Sequence, residues 1–131
     1  MSKKKIPCVY LQNSGLGNSI NPLTSVTHKK IYSIPMLLLI GWRGSPKSKD
    51  EPQHIIKGKI TPKLLKILNI KFTILKSEKD FVKLKKLLKY SKLKNEPVAC
   101  LVSKGVLLNR SKNYAKFKKN VLVNRSKAIK I

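Results

Sequence analysis

The sequence predicts an α/β domain: a parallel sheet with helices on its faces. Three observations carry that expectation. Short aliphatic and β-branched runs alternate with segments of helical periodicity from Ile6 to Val102. The connections between them are mostly short, as in βαβ units. The run Ile34 to Ile40 is continuously apolar, as in a strand buried on both faces of a parallel sheet. With 131 residues, 41% of them apolar, the chain suffices for one domain with a real core.

Ile6 to Leu11 is β-branched and aromatic and is expected as a buried strand. It ends in Gln12-Asn13-Ser14 and the tight Gly15-Leu16-Gly17. Asn18 then caps an expected helix reaching about His28, with Pro22 near its first turn, where a missing N–H costs least. Ile34 to Ile40 is the second strand. Gly41 to Gly58, with three glycines, two prolines and mixed charges, reads as a long loop. Such loops in compact domains are functional or disordered. Thr61 as N-cap and Pro62 at the first helical position open a short helix ended by Asn69. Lys71 to Leu75 is the third strand.

Ser77 with Asp80 resembles a capping box with Asp in place of Glu. Behind it Phe81, Leu84, Leu87 and Leu88 recur at helical spacing, with Lys79, Lys83, Lys86 and Lys89 turned outward. That stripe reads as core. Val98 to Val102 is the fourth strand. After Lys104-Gly105 the chain turns polar and basic, with Asn109 to Asn120 read as a linker before a weak apolar run, Val121 to Val123. The expected division is a folded domain over residues 1–105 and a basic tail over 106–131.

The chain carries 30 Lys and Arg against 5 Asp and Glu, a net charge of +25. Such a chain binds polyanions nonspecifically through counterion release. Only Arg43, Arg110 and Arg125 are arginines, although bidentate base reading favours Arg, and the lysines are scattered over every segment. A solvated basic surface and a nucleic-acid face both remain open. Cys8 and Cys100 each sit in an apolar run without CxxC spacing, and are expected as reduced core thiols of a cytoplasmic protein. The longest apolar run is far too short to span a bilayer, and Lys3-Lys4-Lys5 is not followed by a signal-like stretch.

In open α/β sheets, ligands bind at the carboxyl ends of the strands. "QNSGLGN" stands at such an end. Its glycines permit close backbone approach, and the helix after it offers free N–H groups to an anion or polar ligand. On spacing alone an ordinary strand–helix turn reads equally well, because neither a third glycine nor a P-loop Lys-Ser/Thr pair is present. The second loop holds Trp42, Arg43, Asp50, Glu51, Gln53 and His54. Two of the five acids lie side by side there, near one of the two histidines. A His beside a carboxylate and an amide can donate or accept a proton, or anchor an anion, near neutral pH. A solvated surface loop is the other reading, and His28, among lysines, reads as surface. There is no GxSxG elbow, no HExxH, and no carboxylate pair at separate strand ends for glycoside hydrolysis. The acids are too few to bind a metal unaided.

The stretches "IPCVYLQNSGLGNSINPLTS", "YSIPMLLLIGWRGSPKSKDEPQH", "IIKGKIT" and "PVACLVSKG" together resemble the thiamine-diphosphate-dependent decarboxylases. The match is to the phosphonopyruvate decarboxylase group, with sulfopyruvate decarboxylase as its near relative, and "VNRSKAI" looks like a divergent trace of the connection into a further domain. The resemblance implies an incomplete pyrimidine-binding domain. It implies substrate-binding roles for Gln12, Asn13 and Arg43, and a cofactor-facing wall of Ser14, Gly15, Leu16, Gly17 and Asn18. It implies that Glu51, Gln53 and His54 close over the reacting carbon as catalytic residues.

The implied reaction is loss of carbon dioxide from 3-phosphonopyruvate, giving phosphonoacetaldehyde, with thiamine diphosphate and Mg2+. The metal ligands are expected on a diphosphate-binding domain, and the family's activating glutamate on a segment ahead of the strand that begins at Ile6. None of the five acids here takes that glutamate's place. The chain is therefore expected to be inactive alone and to work in a homo-oligomer or with a complementary subunit. Apolar surface left uncovered by the missing first strand and helix is also expected. A sulfopyruvate decarboxylase α-type subunit is the alternative within this class. A small basic nucleic-acid-binding protein is the alternative outside it.

Overall fold

The computed structural model of the chain describes residues 5–46 and 48–107. The expected linker, the Val121 to Val123 run and "VNRSKAI" lie outside the described residues. Four strands form one fully parallel sheet in the order β1-β2-β4-β3, with β1 Cys8–Gln12, β2 Leu37–Trp42, β3 Lys71–Leu75 and β4 Val98–Ser103. Three α-helices connect them: α1 Ile20–Ser25, α2 Pro52–Ile67 and α3 Phe81–Lys94. The α/β class is the one predicted. No helix among the described residues is long and apolar enough to cross a membrane.

β2 and β4 are central, so alternate side chains are buried on opposite faces. Leu38, Ile40, Trp42, Ala99 and Leu101 join Leu16, Leu23 and Leu65 beneath α1 and α2. Leu37, Val98, Cys100 and Val102 pack on the other face with Leu84, Leu87 and Leu88 of α3. The α3 stripe is thus core, apart from Phe81, which is exposed. The Ser77–Asp80 capping box forms, and the 3₁₀ turn Glu78–Asp80 leads directly into α3. Asn69 and Asn95, both with left-handed φ, terminate α2 and α3.

Three expectations are corrected. β1 is not buried but is an edge strand, with Val9 42% and Tyr10 73% exposed. Its composition predicted a strand and could not say which position in the sheet it takes. Cys8 is accordingly exposed, while Cys100, in a central strand, is fully buried, and burial pushes its thiol up to about 11.

The helix expected from Asn18 to His28 shrinks to the six residues of α1, entered through 3₁₀ turns at Asn13–Gly15 and Gly17–Ser19. Ser19, not Asn18, precedes it, and no side chain caps it. Its hydroxyl side chains fold back on the helix: Thr24 Oγ1 donates to Ile20 O at 2.9 Å, Ser25 Oγ to Asn21 O at 2.7 Å and Thr27 Oγ1 to Leu23 O at 3.1 Å. Such bonds compete with continued helix.

The long loop ends early, because α2 begins at Pro52 and runs unbroken through Pro62. Proline lacks the N–H that would bond the carbonyl four residues back, which is that of Gly58. The indole Nε1–H of Trp42 supplies that bond instead, at 2.9 Å. Thr61 is therefore an interior residue of α2, its hydroxyl donating to Lys57 O, and not an N-cap.

Candidate functional site

β1, β2 and β4 end side by side, with Gln12 paired to Gly41 and Trp42 to Ser103. Their carboxyl ends surround a cleft of about 240 Å³ lined by Tyr10, Gln12, Trp42, Arg43, Ser103 and Lys104, among others. This is the position at which parallel α/β sheets bind ligands. Gln12 and Arg43 are the expected site residues that line it. Ser14 stands just outside and donates from Oγ to Gln12 Oε1 at 3.0 Å, fixing the orientation of that amide.

Asn13 behaves differently from the expectation. Its side chain is buried and binds inside the fold: Nδ2 donates to Arg43 O at 2.9 Å and to Thr61 Oγ1 at 3.1 Å, and Oδ1 accepts from Arg43 N at 3.3 Å. It ties the ends of β1 and β2 to α2. Leu16 is likewise in the core, so its side chain cannot face a ligand. Gly15, Gly17 and Asn18 do lie at the strand end. A side chain at Gly17 would meet nothing within 4 Å, and one at Gly15 would touch only Leu11. Neither glycine is required by packing within the described chain.

The glycines that packing does require are Gly44 and Gly58, which the sequence reading passed over. Gly44 has φ +66°, and a Cβ there would overlap the His54 carbonyl, while a Cβ at Gly58 would overlap the Gly44 carbonyl. Backbone thus lies directly on backbone where the turn after β2 meets the first half of α2. The signal available in the sequence was the Gly-x-x-Gly of "GWRG" followed by a lone glycine within a helical stretch.

This turn is held by Asp50. Its carboxylate accepts from Arg43 Nε at 2.9 Å and Nη2 at 2.6 Å, from Gly44 N at 2.8 Å and from Glu51 N at 3.0 Å. The Asp50 side chain is only 6% exposed. The Arg43 guanidinium, aided by the Gly44 and Glu51 N–H groups, holds its carboxyl well below the usual carboxylate range. Asp80 is held down to about 2 by the Lys83 ammonium and the Lys76 and Ser77 N–H groups.

Both carboxyls titrate lower in the folded chain than the roughly 4 of an unfolded one. Their stabilisation is complete above pH about 4 and is lost as pH falls through the folded values. The thermal midpoint followed by circular dichroism is expected to be insensitive to these groups from neutrality to about pH 4.5, then to drop steeply toward pH 2. A midpoint indifferent to acid down to about pH 2 would contradict this account of both clamps.

Glu51, Gln53 and His54 are brought together as expected, although on the N-cap and first turn of α2 rather than in an open loop. Glu51 Oε2 accepts from Gln53 Nε2 and faces His54 Nε2 at 3.6 Å. The His54 ring is 15% exposed, and its Nδ1 is buried without a partner among the described residues. The trio does not line the cleft. It connects to it through Asp50, which bonds both Arg43 and the Glu51 N–H. Among the described residues no three His, Cys, Asp or Glu side chains cluster to hold a metal ion.

Fold and cleft together give a parallel-sheet α/β domain with an open cleft at the carboxyl edge of its sheet, lined by Arg43 and Lys104 beside apolar residues. Over 73 residues, 56% of the chain, it is 44% identical to the phosphonopyruvate decarboxylase of Streptomyces viridochromogenes. It is 42% identical over 73 residues to that of Streptomyces hygroscopicus. Over 76 residues it is 42% identical to the sulfopyruvate decarboxylase subunit alpha of Methanococcus maripaludis. The chain spans 18% of the length of the two Streptomyces enzymes and 44% of the archaeal subunit. No protein-family model matches it. These relatives are the ones to which the loop motifs pointed.

Proposed function

We propose that this chain is the pyrimidine-binding part of a thiamine-diphosphate-dependent 2-oxo acid decarboxylase. Its substrate is 3-phosphonopyruvate, its product phosphonoacetaldehyde, and its setting the cytoplasm. One observation supports the reading above the others: the two loops that carry the resemblance are physically joined. Asn13 of "QNSGLGN" bonds the Arg43 backbone of "GWRG", and Gln12 and Arg43 share one cleft.

The residues present fit one end of the cofactor. The uncrowded backbone at Gly15 and Gly17, followed by Asn18, leaves room for a ring at the strand end, and Tyr10 and Gln12 offer aromatic and amide walls in the cleft. The diphosphate–Mg2+ end is not served by any acid cluster among the described residues, so its ligands belong to another segment or chain. When bound, thiamine diphosphate supplies an electron sink for the carbon–carbon cleavage.

The chain's own residues position and exchange protons. Ser14 orients the Gln12 amide toward the cleft, Asn13 and Asp50 fix the turn bearing Arg43, and His54 with Glu51 forms a histidine–carboxylate pair able to hold or pass a proton. Gln53 restrains the Glu51 carboxylate. The residues beyond about 105 act as a basic connection, and a complementary subunit completes the cofactor site. A sulfopyruvate decarboxylase α-type role is the second reading, supported by 42% identity over 76 residues to such a subunit.

The test is decarboxylation of 3-phosphonopyruvate and of sulfopyruvate with thiamine diphosphate and Mg2+. It is run on the chain alone and mixed with chains bearing the activating glutamate and the diphosphate domain. Turnover only in the mixture is expected, and the preferred acid decides the substrate. No turnover in any mixture, with no cofactor binding, overturns the proposal.

A further inference from the structure

The cleft presents two cations in unlike circumstances. The Arg43 guanidinium is engaged by the buried Asp50 carboxylate, and Glu51 adds a second negative charge in the same neighbourhood. Lys104 follows the last residue of β4 and lines the same cleft, yet it pairs with no carboxylate among the described residues. An anion entering the cleft meets a balanced charge on one side and an open charge on the other.

The groups around Lys104 suit a tetrahedral oxyanion. Gln12 pairs with Gly41, and Gly41 with Val102, so the Gln12 amide stands on the same face of the sheet as these cleft residues. Gln12 has its Oε1 taken by Ser14, which leaves the Nε2 hydrogens as donors. Gly105, with φ +79°, turns the chain sharply after Lys104, and both residues line the cleft. Lysine serves phosphate-like groups as a flexible point charge with three donors.

Resting on the decarboxylase reading, we infer that Lys104, with the Gln12 amide, forms the subsite for the phosphonate or sulfonate end of the substrate. Arg43 is a positioning residue that acts through Asp50 to hold the turn. The assignment moves the anion anchor from Arg43, where the sequence reading put it, to the residue that follows β4.

The indole of Trp42, the only tryptophan, is buried and bonded to Gly58 O, so occupancy is read at the backbone amides of the cleft residues. The purified full chain is titrated at physiological ionic strength with 3-phosphonopyruvate, sulfopyruvate, pyruvate, methylphosphonate and methanesulfonate. Backbone amide NMR shifts are followed throughout. The expected result is that 3-phosphonopyruvate or sulfopyruvate binds more tightly than pyruvate. Lys104→Gln, at an exposed position, removes about tenfold of that preference, the scale of one charge-assisted hydrogen bond. Lys104→Arg retains most of it. Arg43→Lys lowers the melting temperature but keeps the preference.

A preference that survives Lys104→Gln and disappears in Arg43→Lys overturns the subsite and leaves the decarboxylase reading intact. Methylphosphonate or methanesulfonate binding that depends on Lys104, with neither 2-oxo acid binding better than these simple anions, upholds the subsite and counts against the decarboxylase reading. Absence of any anion-induced change at the Gln12 or Lys104 amide overturns the subsite.

Discussion

Gly58→Ala is expected to abolish the folded state. In an ordinary helix interior this change stabilises by about 0.5–1 kcal/mol, because alanine has less backbone freedom to lose. Here the added Cβ would overlap the Gly44 carbonyl, and Gly44 in turn lies against His54 at a φ of +66°. Relief requires α2 to withdraw from the turn. Three contacts oppose that movement: the Trp42 Nε1 bond to Gly58 O at 2.9 Å, the Asn13 bond to Thr61 at 3.1 Å, and the fully buried Leu65.

Disruption of this type costs about 4 kcal/mol or more. A small domain has a total of only about 5–15 kcal/mol to lose. Circular dichroism should show loss of the cooperative melt in Gly58→Ala. Gly17→Ala, where nothing lies within 4 Å, should stay within about 0.5 kcal/mol of the parent. A Gly58→Ala chain that melts at or above the parent temperature would refute the backbone-on-backbone account.

That glycine also marks where reading along the chain stops working. The central strands were legible because burial on both faces leaves a local trace, the unbroken apolar runs of β2 and β4. β1 carries a similar trace but takes the edge of the sheet, a position set by pairing and not by composition. α2 was misread for a related reason. Gly58 and Pro62 are local helix breakers, and what cancels them is an indole 16 residues earlier in the chain. Asp50 and Arg43 were legible as charges in one loop. Their pairing depends on the turn at Gly44, which no residue-by-residue pattern displays. In the cleft, Gln12 and Arg43 were found because they flank motif glycines, whereas Ser103 and Lys104 arrive through the register of β4 beside β2.

Asn13→Ala should be the other large effect, and it separates two roles for that residue. The carboxamide is 6% exposed and joins three partners, the Arg43 N–H, the Arg43 carbonyl and the Thr61 hydroxyl. Truncation leaves the two part-buried Arg43 backbone groups without this partner, while Thr61 keeps its bond to Lys57 O. Each orphaned group costs about 1–3 kcal/mol, so a loss of about 3 kcal/mol is expected in denaturant unfolding. Asn13→Asp should fare no better. It retains the acceptor for Arg43 N–H, but at neutral pH sets a carboxylate against the Arg43 carbonyl in a dry site.

If Asn13 acts by positioning, ligand affinity falls only as far as the turn after β2 loosens, and stabilising conditions restore both together. If it instead touches the substrate, as its place in "QNSGLGN" first implied, Asn13→Ala would weaken 3-phosphonopyruvate binding while leaving the unfolding midpoint near the parent value. The three bonds argue for the first outcome: a buried carboxamide with both amide hydrogens spent inside the fold has no donor left to offer a ligand.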